Sequence, residues 1–295
     1  MEKDLKLIFI DFDGTLYDNR ARIIYPSSLS AMEEARNRGH KVFLCSGRSY
    51  SGLKEYLPLP VDGICCGSGG EVYIGEELID SHYMDAESIK KLIPCLDKNR
   101  MGYSIETSDG NFLSPAAWDR FLKRHKGIPA ETLASIIRSN SWAKLDNGNT
   151  GYGKVCKMCV YFSCLSDFLS LMTLSDFHYV VIGKENEADG VAEITRKNVS
   201  KATAVQEVAA YYGLNLKNTV AVGDSENDMD LRRVCRLFAA MGNAAATIKE
   251  SADYITAGIH ENGLYHALKH FKLIDGTGDR KMMVKVPNRR SNRIN

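Results

Sequence analysis

The sequence predicts an α/β fold: a Rossmann-like, mostly parallel sheet core with an inserted α+β cap domain. Three observations lead there. Short apolar runs with β-branched content alternate with amphipathic segments at both ends of the chain. Several of these runs stop in turns rich in glycine and acidic residues. In the middle the rhythm changes to hairpin and helix signals in succession, which suits an α+β insert.

Residues 5–10 (LKLIFI) form a short apolar run fit for a central strand buried on both faces. Residues 27–38 place Leu29, Met32 and Ala35 at helical spacing and stop at Gly39, a residue suited to a helix end. With the strand at 40–45 they complete a βαβ unit. In the last third, Ser200 is placed to cap a helix running to Tyr212, and Gly213 ends it. Strands at 219–222, 237–241 and 254–255 follow, separated by helices at 230–235 and 244–251, with a final helix at 263–271.

The middle reads differently. Helices are expected at 85–98, 116–126, 131–139 and 165–174. A hairpin at 103–113 turns at Ser108-Asp109-Gly110, and strands follow at 154–162 and 178–182. The domain reading is a first core segment at 1–84, a cap at 85–186, a returning core segment at 187–274, and a basic, disordered tail at 275–295. The helix carrying Trp118, Arg120, Lys123, Arg124 and His125 is read as a solvated face with Trp118 and Phe121 turned inward, and no substrate contact is assigned to it.

Thirty-eight Lys and Arg against 37 Asp and Glu leave a formal charge of +1 over 295 residues. That sum argues against a strongly basic nucleic-acid binder. It conceals a split. Residues 276–295 hold six Lys/Arg and one Asp, or +5, so the remaining 32 Lys/Arg and 36 acids make the body −4. No apolar run approaches the roughly 18 residues of a membrane span, and the acidic start lacks the apolar segment of a secretion signal. A soluble cytoplasmic protein with reduced cysteines is expected. Cys156 and Cys159 form a CxxC, but it lies in a strand-like run with no second pair, and strand residues rather than a zinc set are expected.

Four motifs sit at strand or helix ends. Asp11 and Asp13, two apart in extended backbone, would project together from a carboxyl strand end, where open α/β sheets hold ligands. Ser46-Gly47-Arg48 offers a hydroxyl and a glycine N–H as donors to a phosphate oxygen. Lys201 would bring an ammonium to a helix N-terminus, which favours an anion. Gly223-Asp224-Ser225-Glu226-Asn227-Asp228 is an oxygen-rich cluster suited to a hard cation such as Mg²⁺. Each motif alone has an ordinary structural explanation; the ordered set is far more specific.

DFDGTL, then SGR, then Lys201, then GDSEND resembles the haloacid dehalogenase superfamily of phosphotransferases, and more closely its Cof-type branch, whose cap lies between the second and third motifs. NVSKATA, AMGNA, SADYIT and ENGL continue the resemblance over roughly residues 5–271. Cys65-Cys66-Gly67-Ser68-Gly69-Gly70 departs from it, because the family usually has an Asn-Gly pair there. The resemblance implies Asp11 as nucleophile on phosphorus and Asp13 as general acid, then base, with Thr15 orienting it. Mg²⁺ would be held by Asp11, Asp13 (through its carbonyl) and Asp224, with Asp228 positioning that set. Phe12 (through its N–H), Ser46, Gly47, Lys201 and Asn227 would hold the phosphoryl group. The second Asp argues against carbon–halogen chemistry. The implied activity is a Mg²⁺-dependent phosphatase for a small phosphorylated metabolite, a sugar phosphate above all; a sugar phosphomutase and a non-catalytic phospho-ligand binder are the alternatives. Neither nucleic acid nor membrane is expected as a partner.

Overall fold

The computed structural model describes residues 5–145, 152–172, 177–182 and 190–276. In chain order the first part holds β1 (Leu7–Ile10), β2 (Tyr17–Asp18), β3 (Ile23–Ile24), α1 (Pro26–Asn37), β4 (Lys41–Cys45), α2 (Tyr50–Leu53), β5 (Gly63–Cys66), β6 (Glu71–Ile74) and β7 (Glu77–Ser81). The middle holds α3 (Ala86–Lys98), β8 (Gly102–Thr107), β9 (Asn111–Leu113), α4 (Pro115–Arg124), α5 (Ala130–Ser139), β10 (Trp142–Lys144), β11 (Val155–Phe162), α6 (Leu165–Met172), β12 (Phe177–Ile182) and β13 (Gly190–Arg196). The last part holds α7 (Lys201–Tyr211), β14 (Thr219–Gly223), α8 (Met229–Val234), β15 (Leu237–Ala240), α9 (Ala246–Ser251), β16 (Tyr254–Ile255) and α10 (Gly263–His270).

Eight strands form one sheet in the order β16-β15-β14-β1-β4-β5-β6-β7. It is parallel from β16 to β5, and β6 and β7 add an antiparallel edge. Leu7, Ile8, Phe9 and Ile10 are all fully buried, as a strand covered by helices on both faces requires. No strand is expected from the sequence at β6 and β7. Glu71 hides this pair: its carboxylate is fully buried and accepts from the hydroxyls of Tyr73 and Tyr83, so a charged residue occupies a strand interior.

Six strands form a second sheet in the order β10-β9-β8-β11-β13-β12. Helix α3 opens this part, with Asp85 accepting from the Ser88 amide at 2.8 Å as an N-cap. The sheet has two unlike faces. Ile105, Met158, Val160, Ala192 and Ile194 pack with Ile89, Leu92 and Phe168 of α3 and α6 in a separate apolar cluster. On the other face Glu193 reaches Ser68 and Asn227, while Gly102 and Tyr161 pack against α4. One expectation needs revising: residues 190–196, assigned to the returning core segment, are β13, which pairs with β11 and β12 in the second sheet. Polar residues alternate with apolar ones there, and the polar ones are buried against the core, which blurs the pattern a half-exposed strand would show.

Trp118 and Phe121 of α4 pack inward with Trp142. All eight cysteines are free, and Cys156 and Cys159 are strand residues of β11. Most of the expected tail lies outside the described residues; Asp275 and Gly276 instead donate their amides to Glu34 on α1. Among the described residues no helix is long and apolar enough to cross a membrane.

Candidate active site

β1 is the middle of the parallel sheet, between β14 and β4, so three strand ends deliver their following residues to one place. Asp11 leaves β1 with its amide still bonded to the Val222 carbonyl of β14 at 3.0 Å, and its side chain is buried. Lys201, the first residue of α7, is fully enclosed. Its Nζ donates to Asp11 Oδ1 at 2.6 Å and to Asp228 Oδ1 at 2.7 Å. Ser200 fixes the start of this helix as a capping box with Thr203.

The loop after β14 is arranged by Asp228, whose Oδ2 accepts from the amides of Asp224 and Ser225 at 2.9 and 3.0 Å. Thr15 donates its hydroxyl to Asp224 Oδ1 at 3.0 Å. Gly14 has a φ of +84°, and a methyl there would sit 2.3 Å from Asp224 Oδ2, so this turn both needs the left-handed backbone and leaves room for the carboxylate. Asn243 donates to the Gly14 carbonyl at 2.8 Å, which ties the AMGNA segment to the first motif.

Carboxylate oxygens of Asp11, Asp224 and Asp228 lie within 4.8 Å of one another. Among the described residues Lys201 is the cation bonded to this cluster, one ammonium against three carboxyl groups, which leaves up to two negative charges uncompensated in a buried space. Burial, with repulsion from Asp228, pushes the Asp11 carboxyl well above its usual range despite Lys201. Burial and Asp228 push Asp224 up to about 7. Asp11 Oδ2 is buried and has no partner. The vacant lone pairs, the surplus negative charge and the all-oxygen donor set fit a divalent hard cation.

Asp13 departs from the expected convergence. Its carboxylate is turned to Arg48, whose Nη2 and Nε donate to it at 2.7 and 2.8 Å. The guanidinium lies 5.0, 5.7 and 5.4 Å from the ring centres of Phe12, Tyr17 and Tyr56. Asp13 therefore stands beside the cluster, while Asp228 contributes the third converging carboxylate. Phe12 itself is a fully buried anchor for this arrangement.

Ser46 follows β4 and is held by its amide on the Cys65 carbonyl at 2.8 Å. Gly47 faces Asn227: a methyl on Gly47 would come 3.2 Å from Asn227 Nδ2. Asn227 and Lys201 line one small cavity with Ser68 and Glu193. The Gly-rich segment after β5 lies beneath the second sheet. Gly69 has a φ of +92°, and a methyl there would meet the Ser200 carbonyl oxygen at 2.1 Å. The glycines of Cys65-Cys66-Gly67-Ser68-Gly69-Gly70 are there for close approach to α7 and β11.

Three residues at the site carry no assignment from the sequence. Arg48 is one, although it stands in the SGR motif. Glu193 and Lys157 are the others, both buried, with Lys157 Nζ 2.7 Å from Glu193 Oε1. Glu193 Oε2 accepts from the Ser68 hydroxyl at 2.7 Å and from Asn227 Nδ2 at 3.4 Å. Only the register of β11 on β13 brings them together.

The profile of haloacid dehalogenase-like hydrolases matches residues 8–268. The chain is 25% identical over 280 residues to the 5-amino-6-(5-phospho-D-ribitylamino)uracil phosphatase YwtE of Bacillus subtilis, covering 88% of this chain and 96% of that protein. It is 22% identical over 279 residues to a phosphoglycolate phosphatase of Methanobrevibacter smithii, covering 92% and 100%. Among solved structures it superposes on the subclass IIB sugar phosphatase BT4131 with a TM-score of 0.72 at 24% identity, over 91% of this chain and all of that one. With the family profile spanning both sheets and all four motifs, the chain belongs to the haloacid dehalogenase-like hydrolases, in their Cof-type branch.

Proposed function

We propose that this protein is a Mg²⁺-dependent phosphatase that hydrolyses a small phosphorylated metabolite, of the sugar phosphate class, through an aspartyl-phosphate. The observation that carries the reading is the buried Asp11, held by Lys201 through one oxygen while the other has no partner. An Asp whose ammonium partner also binds Asp228 is pinned, so its second oxygen can meet phosphorus with little loss of orientation. The phosphatase names of the relatives support the reaction class.

In the first step the Asp11 oxygen forms a bond to phosphorus while the bond to the ester oxygen breaks, and Asp13 gives its proton to the leaving alkoxide. In the second, Asp13 takes a proton from water, the water oxygen bonds to phosphorus, and the bond to Asp11 breaks, releasing inorganic phosphate. Ser46, Gly47, the Phe12 amide, Asn227 and Lys201 hold the phosphoryl oxygens throughout. Arg48 holds Asp13 at rest, so Asp13 must turn from the guanidinium and take up a proton from solvent before it can serve the leaving alkoxide. Asp11, Asp224 and the Asp13 carbonyl would hold Mg²⁺, with Thr15 and Asp228 setting Asp224 in place; bound there, the ion neutralises the approach of carboxylate to phosphate.

The test is phosphate release from a panel of sugar phosphates, nucleotides and pyridoxal phosphate with and without Mg²⁺, together with trapping of a hydroxylamine-sensitive phosphoryl group on the protein. Asp11→Asn should abolish both. Full activity in Asp11→Asn sinks the reading, and isomerised sugar phosphate in place of free phosphate would identify a phosphomutase.

A further inference from the structure

The second sheet turns a polar face to the first. Pairing of β8, β11 and β13 puts Cys159 opposite both Ser104 and Glu193, and Lys157 opposite Glu106. These side chains share one face, and all five are buried. Lys157 sits between the carboxylates of Glu193 and Glu106, at 2.7 and 3.4 Å. Glu106 also accepts from the Ser104 hydroxyl at 3.1 Å. Holding the two sheets together does not require charge: apolar residues of similar volume would do so as well or better, because two carboxylates and an ammonium must be stripped of water. A buried, hydrogen-bonded polar roof is what a polar ligand beneath it requires.

The roof meets the proposed phosphoryl pocket at Glu193. Its carboxylate reaches Asn227 and Ser68, and a methyl on Gly47 would be 2.8 Å from its Oε1. The group attached to a phosphoryl held by Gly47 and Asn227 must therefore leave past Glu193. The small cavity between the sheets is lined here by Ser68, Glu193, Thr195, Lys201 and Asn227, together with His178 of β12. Lys157 is shared by two carboxylates, so the roof keeps one net negative charge and presents acceptors.

We infer that Glu193, held in place by Lys157, is a specificity-determining residue for the leaving group. It accepts a hydrogen bond from a hydroxyl on the carbons next to the ester and rejects leaving groups with a second phosphate or a carboxylate there. The inference rests on the phosphatase reading above and narrows its substrate class to uncharged, hydroxyl-bearing monophosphates. The geometry gives the sign: two like charges meeting in a water-poor cleft repel far more strongly than at a surface.

The experiment uses the full chain with Mg²⁺ and compares kcat/KM within matched pairs. Glycerol 3-phosphate and 3-phosphoglycerate share a skeleton and differ by CH₂OH against carboxylate; glycerol 1-phosphate and glycerol 1,2-bisphosphate differ by a second phosphate on the adjoining carbon. Acetyl phosphate, with no polyol, reports the phosphoryl chemistry. The neutral member of each pair should be preferred by at least about tenfold, and Glu193→Gln, which keeps shape and removes charge, should cut that ratio by about tenfold, chiefly through KM. Equal or better use of the charged members by the unaltered protein overturns the inference without any variant. So does an unchanged ratio in a folded Glu193→Gln protein, or hydrolysis of acetyl phosphate alone. Release of phosphate from none of these compounds overturns the phosphatase reading and the inference with it.

Discussion

Replacing Gly69 with alanine tests how Lys201 is positioned. Gly69 has a φ of +92°, where a Cβ costs about 1–2 kcal/mol. The added methyl would also lie 2.1 Å from the Ser200 carbonyl oxygen and 2.7 Å from its carbon, both backbone atoms of the residue before Lys201. Relief requires about 1 Å of movement at the start of α7, and overpacking of this kind costs a further ~1–3 kcal/mol. The total is roughly 2–5 kcal/mol of stability. Displacement of Lys201 by a similar distance should cut kcat/KM about a hundredfold. Gly75→Ala is the control, since its φ is +58° and nothing lies within 4 Å, so it should show the backbone cost alone. Denaturant midpoints and phosphate release read the two effects. If Gly69→Ala matches Gly75→Ala in stability and keeps full activity, the close approach does not position Lys201 and the reasoning fails.

Three further outcomes are expected. Because up to two negative charges are uncompensated at Asp11, Asp224 and Asp228, Mg²⁺ at about a hundred times its Kd should add about 2.7 kcal/mol of stability, and Asp224→Asn should lose that gain in a thermal-shift titration. Lys201→Met should destabilise the metal-free protein by about 3–5 kcal/mol, since it leaves Asp11 and Asp228 facing each other with no ammonium between them; denaturation in chelator measures it. Burial works to raise the Glu193 carboxyl, but Lys157 and Ser68 overrule it and hold it at about 2 against an ordinary 4.5. A depressed carboxyl stabilises the fold above its ordinary value, so roughly 3 kcal/mol should be lost as pH falls from about 4.5 toward 2. Glu193→Gln should flatten that part of the acid-denaturation curve.

The parts of the molecule legible in the sequence are those where one residue's neighbours in the chain are also its neighbours in space. Asp11 and the Asp224–Asp228 loop end apolar strands, and Lys201 follows its cap Ser200, so local pattern suffices to mark them. Arg48 was on view in its motif, but its hold on Asp13 spans 35 positions and depends on how the strand ends of β1 and β4 abut. Glu193 and Lys157 were hidden because a charged residue in a strand reads as solvent-facing, and only the antiparallel register of β11 and β13 turns both inward. The same disguise covers Glu71 in β6.

The place of β1 has a consequence for how the chain is made. Ile10 pairs with Val222, 212 positions later, on the side of β1 away from β4. At a synthesis rate of about 5–20 residues per second, roughly 10–40 s pass between the two strands. Throughout that time the most apolar strand of the sheet has one bare edge, the kind of edge on which nascent chains stick to one another. The second sheet, whose strands pair within residues 102–196, can close first. Asp11, which follows β1, thus reaches its final surroundings only after β14 is made, and a ribosome-bound chain stalled before β14 would leave Asp11 without the Val222 carbonyl that holds its amide.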